Sequence, residues 1–216
     1  RDRRLNEVKP ASVKREMNLL SAVLSVARDE WGVISDSPMA GVRKPPSSQP
    51  RDRRPSDLEL EALAIAAGED LTKAQARAFH AFRFAIETGM RAGEIVGLTW
   101  EHIDLESRVA FLPKTKNYTA RRVPLSSEAV RLLEALPVSD PVFGLRSANL
   151  DALWRKARDR AAVVGLTFHD SRHEAITRLS KKLDVLALAK MVGHRDIKML
   201  MVYYDETAEE LARRLD

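Results

Sequence analysis

The sequence predicts a mainly helical fold with one small antiparallel β-sheet. Alanine, leucine, arginine and glutamate, which favour helices, are abundant, whereas aromatic residues make up only 6% of the chain. Apolar residues recur at steps of three and four along most segments, which is the period of an amphipathic helix. Only two short segments, residues 108–112 and 121–125, have the composition of β-strands that flank a polar loop.

The N-terminal part of the chain is predicted to form two helices. Residues 12–31 carry an apolar stripe at alternating steps of four and three. Residues 35–38, Ser-Asp-Ser-Pro, are typical of a helix cap with proline at the first position of a second, short helix. Two helices this short cannot bury both faces alone, so we expect residues 1–44 to be the C-terminal part of a small helical domain. The stripe consists of Val13, Met17, Leu20, Leu24, Ala27 and Trp31.

Residues 45–55 form a predicted linker, because four prolines block helix formation and stiffen the chain. Its arginines suit a strap across DNA, and a solvated hinge explains the composition equally well. The second domain is predicted over residues 56–216 and begins with a capping-box pattern, Ser56 with Glu59 three residues later. Its predicted helices cover residues 57–67, 73–88, a short segment ending near 98, 127–136, 147–164, 170–182, 184–192, 196–204 and 206–214.

The length and composition of the chain limit the kinds of protein that it can be. The chain of 216 residues is long enough for one full domain and a small second one. Its net charge of +5 and pI near 9.6 permit binding to a polyanion without establishing it. The absence of cysteine excludes disulfides, zinc thiolate sites and cysteine nucleophiles. No apolar run approaches the roughly 18 residues of a membrane span, and no signal peptide opens the chain. We therefore expect a cytoplasmic protein that binds no membrane.

Two arginines stand where a helix would bury them. Arg172 lies four and seven residues before apolar positions of the predicted helix 170–182, and Arg91 has the same spacing to apolar positions of the short helix that follows it. Arginine is rarely buried unless it is paired. An internal ion pair to Glu94 or Asp170 would satisfy either arginine alone. The presence of both arginines, with histidines nearby, favours a site in which the two bind the same phosphate, because a guanidinium fork matches phosphate oxygens.

Histidines and tyrosines accompany these arginines. His169 precedes Arg172 by three residues, on the same helical turn, and His194 follows a short apolar helix. Two histidines beside inward-facing arginines indicate hydrogen-bond donors and proton carriers. Metal binding is disfavoured, because cysteine is absent and no His-Glu-x-x-His motif occurs. A cationic pocket would favour the phenolate of Tyr203 or Tyr204, whose free pKa is about 10; simple apolar packing explains the position of both tyrosines as well.

These elements resemble the motifs of the tyrosine recombinase, or phage integrase, family. Residues 88–94, Thr-Gly-Met-Arg-Ala-Gly-Glu, resemble its first arginine box, residues 168–173 its His-x-x-Arg box, and residues 192–194 its Gly-His element. Tyr203 stands nine residues after His194, which is the family's usual distance to the nucleophile. Four separate elements in one order and spacing make the resemblance specific. It extends from about residue 56 to the end, and residues 10–45 resemble the tail of the family's core-binding domain.

The resemblance implies a tyrosine recombinase catalytic-domain fold, preceded by a partial helical core-binding domain. It also implies that the protein cleaves and rejoins DNA through a 3′-phosphotyrosyl intermediate. Tyr203 would attack, Arg91 and Arg172 would clamp the non-bridging phosphate oxygens, His194 would hydrogen-bond the phosphate, and His169 would assist proton transfer at the tyrosine. Because the phosphotyrosine conserves the bond energy, no ATP, metal or other cofactor is expected.

A lysine on the polar loop would protonate the leaving 5′-oxygen. Lys116 matches the family's spacing to the second strand better than Lys114, which stays open as a plain phosphate contact. Glu94 is expected to support the arginines rather than to react. Ser171 stands in place of the usual apolar residue, and Val202 in place of the arginine that commonly precedes the tyrosine. Neither departure removes a reacting group.

The resemblance implies double-stranded DNA as partner, a homotetramer on DNA formed from a free monomer, and an accessory DNA-bending protein. The source would be bacterial, phage or prophage. The amphipathic segment 206–214 would dock onto a neighbouring protomer or pack within its own chain. Residues expected to contact DNA outside the catalytic centre are Lys14, Arg15, Arg43, Lys44, Arg51, Arg53, Arg54 and Lys114.

Other functions stay open at this point. A non-catalytic DNA-binding module could retain the fold, although the intact set of reacting residues argues against it. A metal-dependent nuclease would need a carboxylate cluster, and the chain lacks a convincing one. Within the family, the sequence does not separate a phage or prophage integrase from a shufflon-type invertase or a chromosome-dimer resolvase.

Overall fold

The computed structural model describes residues 1–46, 52–113, 120–204, 209 and 212–213. The chain divides into two compact units, Arg1–Arg51 and Asp52–Asp216. Most of the described residues are helical, and a three-stranded antiparallel sheet is present, so the predicted fold class is confirmed. The helices are α1 (Asp2–Leu5), α2 (Pro10–Asp29), α3 (Asp57–Ala67), α4 (Ala74–Thr88), α5 (Ala92–Val96), α6 (Ser127–Glu134), α7 (Ser147–Arg160), α8 (Asp170–Ser180), α9 (Val185–Val192) and α10 (Lys198–Met201).

In the first unit, α2 confirms the predicted long helix, and α1 precedes it. Proline at the first position of α2 suits its start, where an amide hydrogen would have no helical partner. The predicted second helix after Pro38 is wrong. Residues 38–41 form a single turn, in which the amide of Ala40 donates to the carbonyl of Ser37 at 2.9 Å. Gly41, with φ +73°, ends this turn before a helix can continue.

In the second unit, α4 is the central helix and packs against α3, α6, α7 and α8. Ten of its residues are buried, including Phe82, which stacks on Trp154 of α7 with ring centroids 4.1 Å apart. The predicted capping box is present, because the Ser56 side chain accepts from the amide of Glu59 and Glu59 binds the amide of Ser56. This core holds the ends of α4 and α8 next to each other.

The sheet has the order β1–β2–β3, with β1 at Ile103–Asp104, β2 at Val109–Leu112 and β3 at Arg121–Pro124. Both predicted strands are confirmed, slightly shortened. The two-residue strand β1 and the 3₁₀ helix Trp100–His102 before it were not predicted, because neither has an alternating apolar pattern of its own. Leu112 pairs with Arg121, so β2 and β3 form a hairpin whose connection carries residues 114–119.

The C-terminal helices are shorter than predicted. Helix α7 ends at Arg160, and Ala162 just after it has φ +53°, a value incompatible with a continuing helix. Helix α10 covers only Lys198–Met201 of the predicted 196–204, and a turn follows it. The predicted helix 206–214 lies largely outside the described residues. No helix among the described residues is long and apolar enough to cross a membrane.

Candidate active site

Two glycines bring the ends of α4 and α9 into contact. Gly89 follows α4 with φ +62°, and Gly193 follows α9 with φ +70°; both are left-handed conformations that suit glycine. A Cβ atom on Gly89 would lie 2.9 Å from Cγ1 of Val192. The approach is therefore as close as the absence of a side chain allows. Immediately after these two ends the chain carries Arg91 and His194.

Arg172 joins the two helix ends. It lies on the first turn of α8 and is only 4% exposed, which confirms the inward direction predicted from helical phase. Its Nη1 donates to the carbonyl of Gly89 and its Nη2 to the carbonyl of Val192, the latter at 2.7 Å. Burial, and then the charges of Arg91 and Arg121, lower the pKa of Arg172. A guanidinium nevertheless keeps its proton in proteins, so this buried cation would gain from an anion.

Arg91 and His169 share a cleft with Arg172. The three residues line a cavity of about 310 Å³. Arg91 precedes α5, its side chain is 24% exposed, and its Nη1 lies 3.1 Å from the carboxylate of Glu94. The ion pair considered as an alternative at the sequence level is thus present. It leaves Arg91 at the cleft surface, where a solvent-borne anion can reach it.

A third arginine, Arg121 on β3, was missed by the sequence analysis. Its two terminal nitrogens donate to the two carboxylate oxygens of Glu94 at 2.7 Å each, and its Nε donates to the carbonyl of Met191 at 3.1 Å. Burial alone would raise the pKa of Glu94, but hydrogen bonds from Arg121 and from the Arg91 amide outweigh it and hold the pKa below its usual value. Two guanidiniums, those of Arg91 and Arg121, thus bind one carboxylate, and the charge of that carboxylate also acts on Arg172.

Both predicted histidines lie near these cations, and burial together with the positive charges lowers the pKa of each. Burial, and then the charges of Arg172 and Arg91, lower the pKa of His194 to about 4. Partial removal from solvent, and then the charge of Arg172, lower the pKa of His169. The Nδ1 of His194 is buried and has no hydrogen-bond partner among the residues that the structure describes. A buried polar atom without a partner is costly, so this nitrogen is available to a ligand.

The two adjacent tyrosines have different surroundings. The hydroxyl of Tyr203 forms a hydrogen bond with Nδ1 of His173 at 2.8 Å. Burial and the charge of Asp52 raise the pKa of Tyr203, while the charges of Arg172 and Arg54 oppose that rise. The hydroxyl of Tyr204 instead donates to the carbonyl of Leu183 at 2.6 Å. Tyr203 is thus the tyrosine within electrostatic range of Arg172.

Several predicted residues stand elsewhere. Arg53 forms an ion pair with Glu59 and also donates to the carbonyl of Val164 at 3.3 Å. Arg54 lies 3.9 Å from Glu174. In the first unit, Lys44 donates to the side chain of Asn18 at 2.9 Å.

The remaining predicted residues lie in the first unit or outside the described residues. Lys14 is half-buried, and Arg15 and Arg43 are exposed. Lys114, Lys116 and Arg51 lie outside the described residues. Within the described ranges, no three histidine or carboxylate side chains are grouped as metal ligands would be.

Comparison with known proteins gives a consistent result. The phage integrase family matches residues 56–210. An integrase/recombinase of Haemophilus influenzae is 44% identical over 220 residues, which cover 99% of this chain and 72% of that protein. A shufflon-specific DNA recombinase of Escherichia coli is 39% identical over 228 residues, which cover all of this chain and 58% of that protein.

Solved structures share the fold. A lambda integrase fragment, crystallised as a dimer bound to a core site, superimposes with a TM-score of 0.72 at 21% identity, over 90% of this chain and 76% of that one. Lambda integrase crystallised as a tetramer bound to a Holliday junction gives 0.71 at 21% identity, over 92% and 60%. The family match over residues 56–210, together with the 44% identical relative, shows that the chain belongs to the phage integrase family of tyrosine-type site-specific recombinases.

Proposed function

We propose that this chain cleaves and rejoins double-stranded DNA, with Tyr203 as the nucleophile that forms a 3′-phosphotyrosyl bond. The observation that carries the proposal is the cleft lined by Arg91, His169 and Arg172, together with the positive charge of Arg172, which favours the phenolate of Tyr203. A phosphodiester in this cleft would supply an anion to Arg172, which donates to two neutral carbonyls, and to the exposed side of Arg91. The matched DNA recombinases support the same substrate.

Electrostatics favour the transition state of this reaction. When an oxygen attacks phosphorus, negative charge builds up on the non-bridging oxygens, and preorganised donors stabilise it most effectively in a site shielded from water. Arg172 is held rigidly by two backbone carbonyls, and Arg91 by Glu94. Both guanidiniums would donate to the non-bridging oxygens. His194, neutral and with a free buried nitrogen, would add a further hydrogen bond.

His169 and the two lysines of the polar loop complete the proposed site. His169 lines the cleft, where it would contact the phosphate or move a proton beside it. Lys116 would protonate the leaving 5′-oxygen, and Lys114 would contact a neighbouring phosphate. Both lysines belong to the connection of the β2–β3 hairpin, whose base is tied to the arginine cluster through Arg121 and Glu94. No ATP or other cofactor enters the scheme, because the phosphotyrosine bond retains the energy needed for rejoining.

The assembly follows from the same proposal. Two units bind DNA: residues 1–44 as the C-terminal part of a core-binding domain and residues 56–216 as the catalytic domain, joined by the basic linker 45–55. Because lambda integrase was crystallised as a tetramer on a Holliday junction, we propose a homotetramer on DNA, with segment 206–214 docking between protomers and an accessory protein bending the DNA. The protein would act in the cytoplasm of a bacterium, since the relatives it matches include proteins of Haemophilus influenzae and of Salmonella phage P22.

A covalent trap tests the proposal. The protein's own site is first selected from a library of random duplexes, and a duplex nicked next to the scissile phosphate is then built on that site. After attack the short fragment diffuses away, so a covalent protein–DNA adduct accumulates. We expect the adduct in the presence of EDTA, its complete loss in Tyr203→Phe, and wild-type rates in Tyr204→Phe.

Each other result has a defined meaning. DNA binding without an adduct would favour the non-catalytic module. Free DNA ends that appear only with divalent metal would favour the nuclease. Loss of the adduct in Tyr204→Phe but not in Tyr203→Phe would show that Tyr204, and not Tyr203, is the nucleophile.

A further inference from the structure

The hydroxyl that would attack DNA already contacts a histidine, the last residue of the motif at 168–173, to which none of the roles proposed above is assigned. Oη of Tyr203 lies 2.8 Å from Nδ1 of His173, and the two ring centroids are 6.1 Å apart. Tyr203 packs against the small apolar cluster that contains Ile176 and Leu200. Both rings are partly buried, so the contact lies in a defined environment rather than between two freely moving side chains.

Helix α8 determines where His173 stands. The residue before it, Arg172, is anchored to two backbone carbonyls, and Ile176, three residues after it, is only 3% exposed. These two buried contacts fix the rotation of α8 about its axis. His169, at the start of the helix, therefore lines the cleft, whereas His173, one turn later, contacts the tyrosine. The two histidines have separate positions in the site.

The contact has the geometry of a proton acceptor on a nucleophile. A general base must lie within hydrogen-bond reach of the proton that it removes. If Nδ1 accepts the hydroxyl hydrogen, the neutral ring carries its own proton on Nε2. Burial and the charge of Asp52 raise the pKa of Tyr203, so the hydroxyl retains its proton at neutral pH and must release it during attack.

We propose that His173 is the catalytic residue that accepts the proton of Tyr203 as its oxygen attacks phosphorus, an inference that rests on the function proposed above. The oxygen–phosphorus bond forms while the hydroxyl proton moves to Nδ1 and leaves an imidazolium. The bond from phosphorus to the 5′-oxygen breaks with its electron pair, and that oxygen takes a proton from Lys116. In rejoining, the 5′-hydroxyl attacks phosphorus and returns its proton to the neutral amine of Lys116, while the tyrosine oxygen leaves with its electron pair and takes back the proton of the imidazolium.

This assignment separates two proton transfers. His173 serves the tyrosine, whereas His169 contacts the phosphate from within the cleft. The family resemblance implies the opposite for His169, namely assistance at the tyrosine. If His173 accepts the proton of the tyrosine, an added base should restore the rate of a His173 variant. If His169 does so, the added base should instead restore the rate of a His169 variant.

The test compares single-turnover rates of adduct formation on the nicked duplex for wild type, His173→Ala, His173→Gln and His169→Ala. His102→Ala, on the 3₁₀ helix outside the proposed machinery, is the matched control. Each protein is assayed with and without added imidazole, and its binding to intact duplex and its melting temperature are measured in parallel. We expect His173→Ala and His173→Gln to lose about 100-fold or more in rate with duplex binding retained, and imidazole to restore much of the rate in His173→Ala alone.

A second substrate distinguishes the two ends of the reaction. A duplex with sulfur in place of the bridging 5′-oxygen has a leaving group that needs no proton. This substrate should leave the His173→Ala defect unchanged, because the missing function is at the tyrosine. Restoration of the rate by sulfur would overturn the assignment, as would wild-type rates in His173→Gln or imidazole rescue of His169→Ala in place of His173→Ala.

The inference and the proposed function fail in different ways. If wild type forms no adduct, or if Tyr203→Phe forms one, the proposed function is wrong. If wild type forms the adduct and His173→Ala forms it equally fast, only the role of His173 is wrong.

Discussion

Arg121 and Glu94 share two hydrogen bonds of equal length, 2.7 Å each, and their side chains are only 8% and 7% exposed. The same carboxylate also accepts from the backbone amide and the side chain of Arg91. Glu94 therefore connects the hairpin strand β3 to the start of α5. A change at this single carboxylate should disturb stability and DNA chemistry together.

Glu94→Gln should lower the free energy of unfolding by about 3 kcal/mol, because it leaves the buried guanidinium of Arg121 without a counter-charge. Urea denaturation measures the loss. Glu128→Gln is the matched control: its ion pair with Arg131 is solvent-exposed, so it should cost less than about 1 kcal/mol. Equal losses in the two variants would contradict the importance assigned to the buried pair.

Stability should decrease as the pH falls from about 7 to about 5. An unperturbed histidine has a pKa of about 6.5, whereas that of His194 in the folded protein is about 4. The unfolded chain therefore takes up a proton in this window that the folded protein does not. As a result, the free energy of unfolding decreases as the pH is lowered. The lowered pKa values of His169 and His80 act in the same direction.

Urea denaturation of wild type and His194→Asn across this pH range measures the contribution of His194. The variant should have a shallower pH dependence, and its difference from wild type should shrink once DNA is bound, because a phosphate favours the protonated ring. An equally steep slope in His194→Asn would show that the other histidines account for the whole effect.

Arg172→Lys should cost about 2 kcal/mol in stability and abolish adduct formation, because one ammonium cannot replace a guanidinium that spans the carbonyls of Gly89 and Val192. Arg91→Lys, at a partly exposed position, should cost less than about 1 kcal/mol yet slow adduct formation about 100-fold. Thermal unfolding and the nicked-duplex assay measure the two effects separately. Similar stabilities for both variants would contradict the structural role of Arg172.

Gly89→Ala should destabilise the protein by about 3 kcal/mol, because the new methyl group would meet Val192 at 2.9 Å in addition to the cost of a left-handed alanine. Gly165→Ala is the control: its φ is +74° but nothing lies within 4 Å of the added Cβ. It should cost about 1 kcal/mol, the backbone contribution alone. Comparable losses would mean that the contact between the ends of α4 and α9 is easily relaxed.

Local patterns predicted the elements that depend on local physics. The 3.6-residue period placed Arg172 on the buried face of its helix, and the structure buries it to 4%. The capping box at Ser56 is present because it involves only two residues that are three positions apart. The short helix after Pro38 was wrong, because a cap and a proline specify a start but not a length, and Gly41 ends the turn at once.

The contacts that the sequence did not reveal join distant segments. Arg121 meets Glu94 across 27 residues and His173 meets Tyr203 across 30. A weak signal existed for each. Arg121 is two residues before the buried Val123, and so on the same face of its strand, and His173 is four residues after His169, and so on the same side of its helix. Neither signal identifies the partner, because tertiary packing brings the partners together.

The attachment of Arg172 to the ends of α4 and α9 bears on how relatives of this protein evolve. An arginine that fastens two helices is preserved by selection for folding even after the nucleophile is gone. A descendant that had lost its tyrosine and kept only a scaffolding role would therefore still carry this arginine. Retention of Arg172 is a marker of the architecture, and an intact Tyr203 with its histidine neighbour is the better marker of a working recombinase.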